Sequence, residues 1–436
     1  MNPLNSKPSR FVASLANLPS LAMKVVFALV VCLIVGCTDN SPPSQFVVDV
    51  SEPSVQVEVG GHLVGAPVAA AFEEESESNL SVRSIVSQTE SKPAVRPNYA
   101  PPDGRPPILA VQMSDTTAFG VPIGNFSDQL LLMRNDGAIQ RIPKPEIVQQ
   151  TVLNDRFRSI ERNELSQQLR AEFGRNYLVK NEPPYLIVAK SEHINDWAQR
   201  FRGLQHSFKL YCTTHGLLTR EIEFPLVAVV FGSRNEFLKY AHASGVKLPE
   251  FCVGYYFSDS NRILLYESDE SSAKETQMTI CHEATHQLAF NMGLHQRRAS
   301  SPLWVIEGLA TMFESPMLSG LQSREGKSLW PATRKHTWQS LRKSPESIQR
   351  IVTGLIQNDK AFESDFQNAY TVAWAMTTYL SQRRSQQFGS YLQKVGNLPP
   401  FEDYALTIRV SDFQSAFGSD LKLLTNKIIK HLETLE

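Results

Sequence analysis

The chain carries no surplus of positive charge: 43 Lys and Arg against 44 Asp and Glu give a formal net charge of −1 over 436 residues. That balance offers no electrostatic footprint for nucleic acid, because phosphate binding needs an excess of cations on one face. The apolar run near the start is short. Val25–Gly36 ("VVFALVVCLIVG") would make about 18 Å of helix, against a bilayer core of about 30 Å, so it is not a membrane span. Cysteine is sparse, at five residues, and no pair has the CxxC spacing of a thiolate zinc site. No internal repeat is evident. What is present is enough apolar residue, 42% of the chain with 9% aromatics, to build a sizeable core.

Lys7, Arg10 and Lys24 precede the short apolar run, the order of a secretory signal. Its end, Ile34-Val35-Gly36-Cys37, resembles the bacterial lipobox, in which cleavage precedes a lipidated cysteine. Initiation at Met23 would leave a shorter signal. Processing there would remove Cys32, acylate Cys37 and leave Cys212, Cys252 and Cys281 in the folded part. Three thiols do not suggest a disulfide framework. Cys212 and Cys252 pairing, or all three buried as small hydrophobes, remain the alternatives. The expectation is a protein held by lipid at the bacterial cell envelope, on the periplasmic face or the cell surface.

Residues 38–106 are rich in Ser, Pro, Glu and Val without a periodic apolar face, and read as a disordered tether. From 107 to 150, "PILAVQMSD", "FGVPIG" and "QLLLMRNDGAIQRIP" cluster apolar residues around turn signals, which predicts a small β-rich module. Residues 151–436 read as one α+β domain. A polar helix over 154–172 precedes two strands in "NYLVKNEPPYLIVAK". Next come a helix over 191–214, the strand "FPLVAVVFG" and a helix over 234–244. "CVGYYFSDSNRILLYES" gives two more strands around Asp259-Ser260-Asn261, and everything after about 301 is helical.

The stretch "TICHEATHQLAF" lies in a segment, Ala273–Met292, of helical length and period that ends at Gly293. Residues four apart share a helical face, so His282 and His286 can present two imidazoles to one ion. Glu283 is displaced by about 100°, beside such an ion, where it can take a proton from a zinc-bound water. An unrelated pair of helical histidines is the plain alternative, since two ligands make an incomplete site. A third histidine in an elongated motif is excluded, because Ala289 and Met292 stand where Gly and His would be needed. "SSPLWVIEGLATMFES" supplies a glutamate instead: Ser301 as N-cap, Pro302 in the first turn, and Glu307 on an apolar face. A carboxylate among Trp304, Ile306, Leu309 and Phe313 is costly without a cation or donors. Gly308 allows close approach of another backbone, as stacking on the HEATH helix requires.

"HEATH…WVIEGLATMFE" resembles the gluzincin metallopeptidases, with HExxH and a downstream glutamate. It is most similar to the peptidase-MA-like branch and to an uncharacterised relative among bacterial surface lipoproteins. The resemblance extends more loosely from about Glu172 to the C-terminus. It implies a zincin-like fold, a small mixed sheet followed by the HExxH helix and a helical C-terminal half. It implies zinc held by His282, His286 and Glu307, with Glu283 as general base in hydrolysis of a peptide or protein substrate. Gluzincins also supply a proton donor to the oxyanion. Tyr370, in "FQNAYTVAWAMTTYL", is placed for that role or for the core beside Trp374; His295 and His336 are weaker candidates. Glu314, seven residues after Glu307, either hydrogen-bonds a ligand histidine or ends the helix in solvent. In zincins the strand before the zinc helix commonly lines the cleft as an edge, a place taken here by "RILLYES" unless it is a covered central strand. The Gly-x-Met-x-Asn motif of the aminopeptidases is absent, which favours an endopeptidase. A surface lipoprotein using the same scaffold only for binding or structure is the rival reading.

Overall fold

The computed structural model describes residues 55–59, 62–66, 104–190, 192–248, 252–267, 273–319 and 328–435. The signal and Cys37 lie outside the described residues. Within the stretch expected to be a tether, β1 (Val55–Val59) and β2 (His62–Ala66) form an antiparallel hairpin.

Five strands make the first sheet: β3 (Pro107–Gln112), β4 (Thr117–Asn125), β5 (Gln129–Met133), β6 (Ile139–Pro143) and β7 (Gln149–Arg156). Its order is β6-β5-β4-β3-β7, antiparallel throughout, over a small core of Val111, Leu130, Leu132 and Ile142. The turn at Asn135-Asp136-Gly137 needs glycine twice over. Gly137 has φ +78°, and a Cβ there would meet Phe224 at 2.8 Å. The sequence reading placed a helix from 154, but β7 runs through Asn154 to Arg156 and α1 (Arg162–Phe173) starts later. Pairing with β3 takes these polar residues, a tertiary preference that local polarity does not encode.

The second sheet has the order β11-β12-β10-β9-β8, built from β8 (Leu178–Glu182), β9 (Tyr185–Ala189), β10 (Leu226–Phe231), β11 (Gly254–Phe257) and β12 (Arg262–Tyr266). β9, β10 and β12 are parallel, while β8 and β11 add antiparallel edges. The parallel strands are apolar on both faces because helices cover both. Leu186, Val188, Val227, Val229 and Leu264 face α1 and α3 (Arg234–Ala243). Ile187, Ala228, Val230, Ile263 and Leu265 face α2 (Ile194–Thr214) and α4 (Ala273–Asn291). β12 is therefore interior, and the edge beside α4 is β11. The edge role expected of "RILLYES" falls to Gly254–Phe257.

The helical half comprises α5 (Leu303–Phe313), α6 (Ala332–Leu341), α7 (Pro345–Gln357), α8 (Ala361–Ser364), α9 (Phe366–Arg383), α10 (Ser385–Gly396), α11 (Leu406–Phe417) and α12 (Leu421–Glu433). α9 is buried continuously from Ala369 to Ser381, the signature of a helix enclosed on all sides. α5 lies against it. A Cβ on Gly308 would stand 2.6 Å from the carbonyl oxygen of Ala373 and collide with Thr377 Oγ1. The close approach predicted for Gly308 is thus to α9 and not to the HEATH helix. The N-cap also differs from expectation. Ser301 makes no cap; the amide of Leu303 donates to Asp359 Oδ1 at 3.0 Å, and Arg409 holds that same carboxylate. Among the described residues no helix is long and apolar enough to cross a membrane.

Candidate metal centre

α4 ends as the sequence suggests, with Gly293 at φ +80° and the amide of Leu294 returning to Ala289 O at 2.9 Å. One face of this helix lies on β11 and β12, the other on α5. His282 and His286 turn toward α5, where Glu307 projects from the middle of the helix. All three are buried, at 1%, 4% and 1% exposure. Glu307 Oε2 lies 3.1 Å from His282 Nε2 and 3.5 Å from His286 Nε2, and one ligand atom from each side chain lies within 4.8 Å of the others. Ligand atoms about 3.3 Å apart are what a tetrahedral ion with bonds of 2.0–2.1 Å requires. His286 Nε2 has no hydrogen-bond partner among the described residues. Two imidazoles and a carboxylate, buried and aimed at one point, can hold a metal ion. The residues fit the group.

Glu314, at the C-terminal end of α5, brings Oε1 to 2.9 Å from His282 Nδ1. It is buried, so the solvated helix end is excluded. An acceptor at Nδ1 fixes the tautomer that leaves Nε2 free to bind an ion. In the metal-free protein burial alone lowers the His282 pKa. The hydrogen bonds and charges of Glu307 and Glu314 reverse this and carry it up to about 10. For Glu307 burial works upward, but His286 and His282 hold it well below the usual carboxylate range.

Glu283, next to His282 on the same helix, reaches the sheet edge with one oxygen. The backbone amide of Tyr256 in β11 donates to its Oε2 at 2.7 Å, while Oε1 has no partner among the described residues. Burial raises its pKa, against the lowering effect of His282 and His286. Sequence reasoning missed the Tyr256 amide, since a backbone donor leaves no mark in residue identity. The turn after β11 is itself braced. Asn261, at φ +57°, accepts from Tyr256 Oη through Oδ1 at 2.8 Å, and its carbonyl accepts from Gln287 Nε2 at 2.6 Å. The first sheet grips the same turn: the Ile139 amide donates to Asp259 O at 2.6 Å, and Arg141 pairs with the Asp259 carboxylate, which Arg298, from the segment between α4 and α5, also reaches.

Tyr370 sits on α9 with its ring 6.3 Å from that of His282. It is fully buried, its hydroxyl has no hydrogen-bond partner among the described residues, and burial with the Glu307 charge raises its pKa well above the usual value. Arg334 of α6 lies over that ring, its guanidinium carbon 5.4 Å from the centroid. His295 is buried with both ring nitrogens unpartnered among the described residues, and burial, reinforced by His286, pushes its pKa down to about 3. His336 is exposed and stands apart. Cys212, Cys252 and Cys281 are free and buried, so the disulfide alternative is not formed.

A family described as a protein of unknown function (DUF1570) matches residues 276–402, a span that contains the trio, Glu283, Glu314, Arg334 and Tyr370. No curated protein matches the chain.

Proposed function

We propose that the chain is a zinc-dependent endopeptidase of the gluzincin type, acting on peptide or protein substrates at the bacterial envelope. One observation carries this reading. Three buried ligands, two imidazoles and a carboxylate, converge from two helices, and a second carboxylate beside them, Glu283, is fixed by one oxygen and without a partner at the other among the described residues. Structural zinc sites usually close with four protein ligands, whereas catalytic sites use three and keep a position open.

Zinc, when bound, supplies a Lewis acid that polarises a carbonyl and makes water acidic near neutrality. The protein's own groups do the rest. His282, His286 and Glu307 hold the ion, and Glu314 fixes the ring of His282. Glu283 keeps Oε2 on the Tyr256 amide and accepts a proton from the attacking water at Oε1. Its raised pKa suits a base that must later return the proton to the leaving amine. The Tyr370 hydroxyl, un-ionised and unspent, can donate to the oxygen that gains charge. β11, as the sheet edge beside α4, is suited to pair with an extended substrate backbone.

The burial of the whole trio favours a second reading, a metal-bearing scaffold without turnover. Glu283→Gln separates the two. Zinc retained with peptide hydrolysis abolished supports the peptidase. A wild-type protein that carries zinc and cleaves nothing in a broad peptide library supports the scaffold.

A further inference from the structure

Arg334 is 3% exposed, and its Nε and Nη2 have no hydrogen-bond partner among the described residues. Those two nitrogens form one edge of the guanidinium, and their N–H bonds run nearly parallel. That edge matches the two oxygens of a carboxylate, a pairing that no single carbonyl satisfies. A buried donor left unmade is expensive, and a buried charge more so.

Glu307 is directed at His282 and His286, and Glu314 Oε1 at His282 Nδ1. Their charges act on Arg334, but neither hydrogen-bonds it, and Glu314 Oε2 is likewise without a partner among the described residues. The guanidinium carbon lies 5.4 Å from the centroid of the Tyr370 ring, and that ring lies 6.3 Å from the ring of His282, which puts the unpaired edge on the flank of the candidate metal centre. Two unspent donors side by side on a buried guanidinium call for a ligand with two adjacent acceptor oxygens.

We infer that Arg334 is a substrate-carboxylate site, which makes this a peptidase for chains presenting an acidic group next to the scissile bond. The inference rests on the peptidase reading for its substrate class. The carboxylate comes either from an Asp or Glu side chain, which keeps the endopeptidase reading, or from the C-terminus of the peptide, which makes the same centre a carboxypeptidase.

The test is calorimetric titration of the full chain, with and without zinc, by three probes. N-acetyl-alanine presents a terminal carboxylate, N-acetyl-glutamate α-amide a side-chain carboxylate, and N-acetyl-alanine amide neither. Wild type should bind one of the two carboxylates about tenfold or more tightly than Arg334→Gln does, the scale of a charged hydrogen-bonded pair. The neutral amide should show no such difference, and the carboxylate that responds names the source. Arg334→Lys keeps the charge and loses the paired edge, so it should fall between. Should Arg334→Gln fail to fold by circular dichroism, Arg334→Lys decides with the same ratio. Equal binding of every probe by wild type and variant overturns the inference, as does an equal loss for the neutral amide. Hydrolysis of a peptide library is measured in parallel. Cleavage without any dependence on Arg334 sinks the carboxylate site and leaves the peptidase. Arg334-dependent carboxylate binding with no cleavage does the reverse.

Discussion

The backbone amide of Tyr256 donates to Glu283 Oε2 across 2.7 Å, at the β11 edge of the second sheet. A sheet edge thus fixes the orientation of the residue proposed as the base, and a glutamine in its place can keep the same bond through its carbonyl oxygen. Glu283→Gln should therefore fold and bind zinc as wild type does, while kcat falls by about 10²–10⁴, the usual contribution of general acid–base catalysis. Zinc content and turnover on a cleaved library peptide, measured on the same preparation, check this. A variant that turns over normally removes Glu283 from the mechanism.

Glu314 reaches the candidate metal centre through His282 Nδ1. Removal of an acceptor behind a ligand histidine typically weakens metal binding 10–100-fold. Glu314→Gln should raise the zinc dissociation constant by about that factor in a competition titration against a chromogenic chelator, with the fold unchanged. An unaltered affinity would show that the contact is only a buried helix end.

In the metal-free protein the His282 pKa lies above its unfolded value of about 6.5, raised by Glu307 and Glu314 against burial to about 10. The stability this contributes is complete below pH 6.5 and is lost as pH rises toward 10. Urea midpoints of the metal-free chain should fall between pH 6.5 and 9.5. With zinc bound the imidazole is deprotonated already, so this decline should be absent. A metal-free midpoint that is flat over the interval contradicts the charged pairing.

Gly308 sets the spacing of α5 on α9. Gly308→Ala forces its Cβ against Ala373 O and Thr377, and overpacking of this kind costs about 1–3 kcal/mol. The same displacement moves Glu307, one residue away, so zinc affinity should fall along with the thermal midpoint. A stable variant with unchanged affinity would show that the helices part without moving the ligand.

Asp259 joins the turn that follows β11 to the first sheet through Arg141, and to the segment between α4 and α5 through the buried Arg298. Asp259→Ala should cost about 1–3 kcal/mol, because it takes a carboxylate from a desolvated guanidinium. If the first sheet helps hold β11 against Glu283, kcat should drop while zinc content stays constant. A drop in stability alone would confine the first sheet to packing.

The grouping of His282, His286 and Glu307 into a candidate metal centre was legible because its signals are local. His282 and His286 need only helical spacing, and Glu307 stands out as a carboxylate in an apolar face. β10 likewise shows in "FPLVAVVFG" as a run apolar on both faces. What stayed hidden depends on partners distant in the chain. The cap of α5 comes from Asp359 and not from the adjacent Ser301, and Gly308 answers to α9. β12 is interior because β11 folds back antiparallel outside it, which no feature of "RILLYES" records. Arg334 gave no signal at all; a lone arginine on a polar helix reads as solvated until burial strips it of water.

Metal content of the purified full chain, by mass spectrometry, beside its Glu307→Ala variant, tests the central claim most directly. The account predicts about one zinc per wild-type chain, lost or sharply weakened in the variant, as three protein ligands to one ion require. A folded wild-type protein that holds no zinc and takes up none when it is added contradicts it.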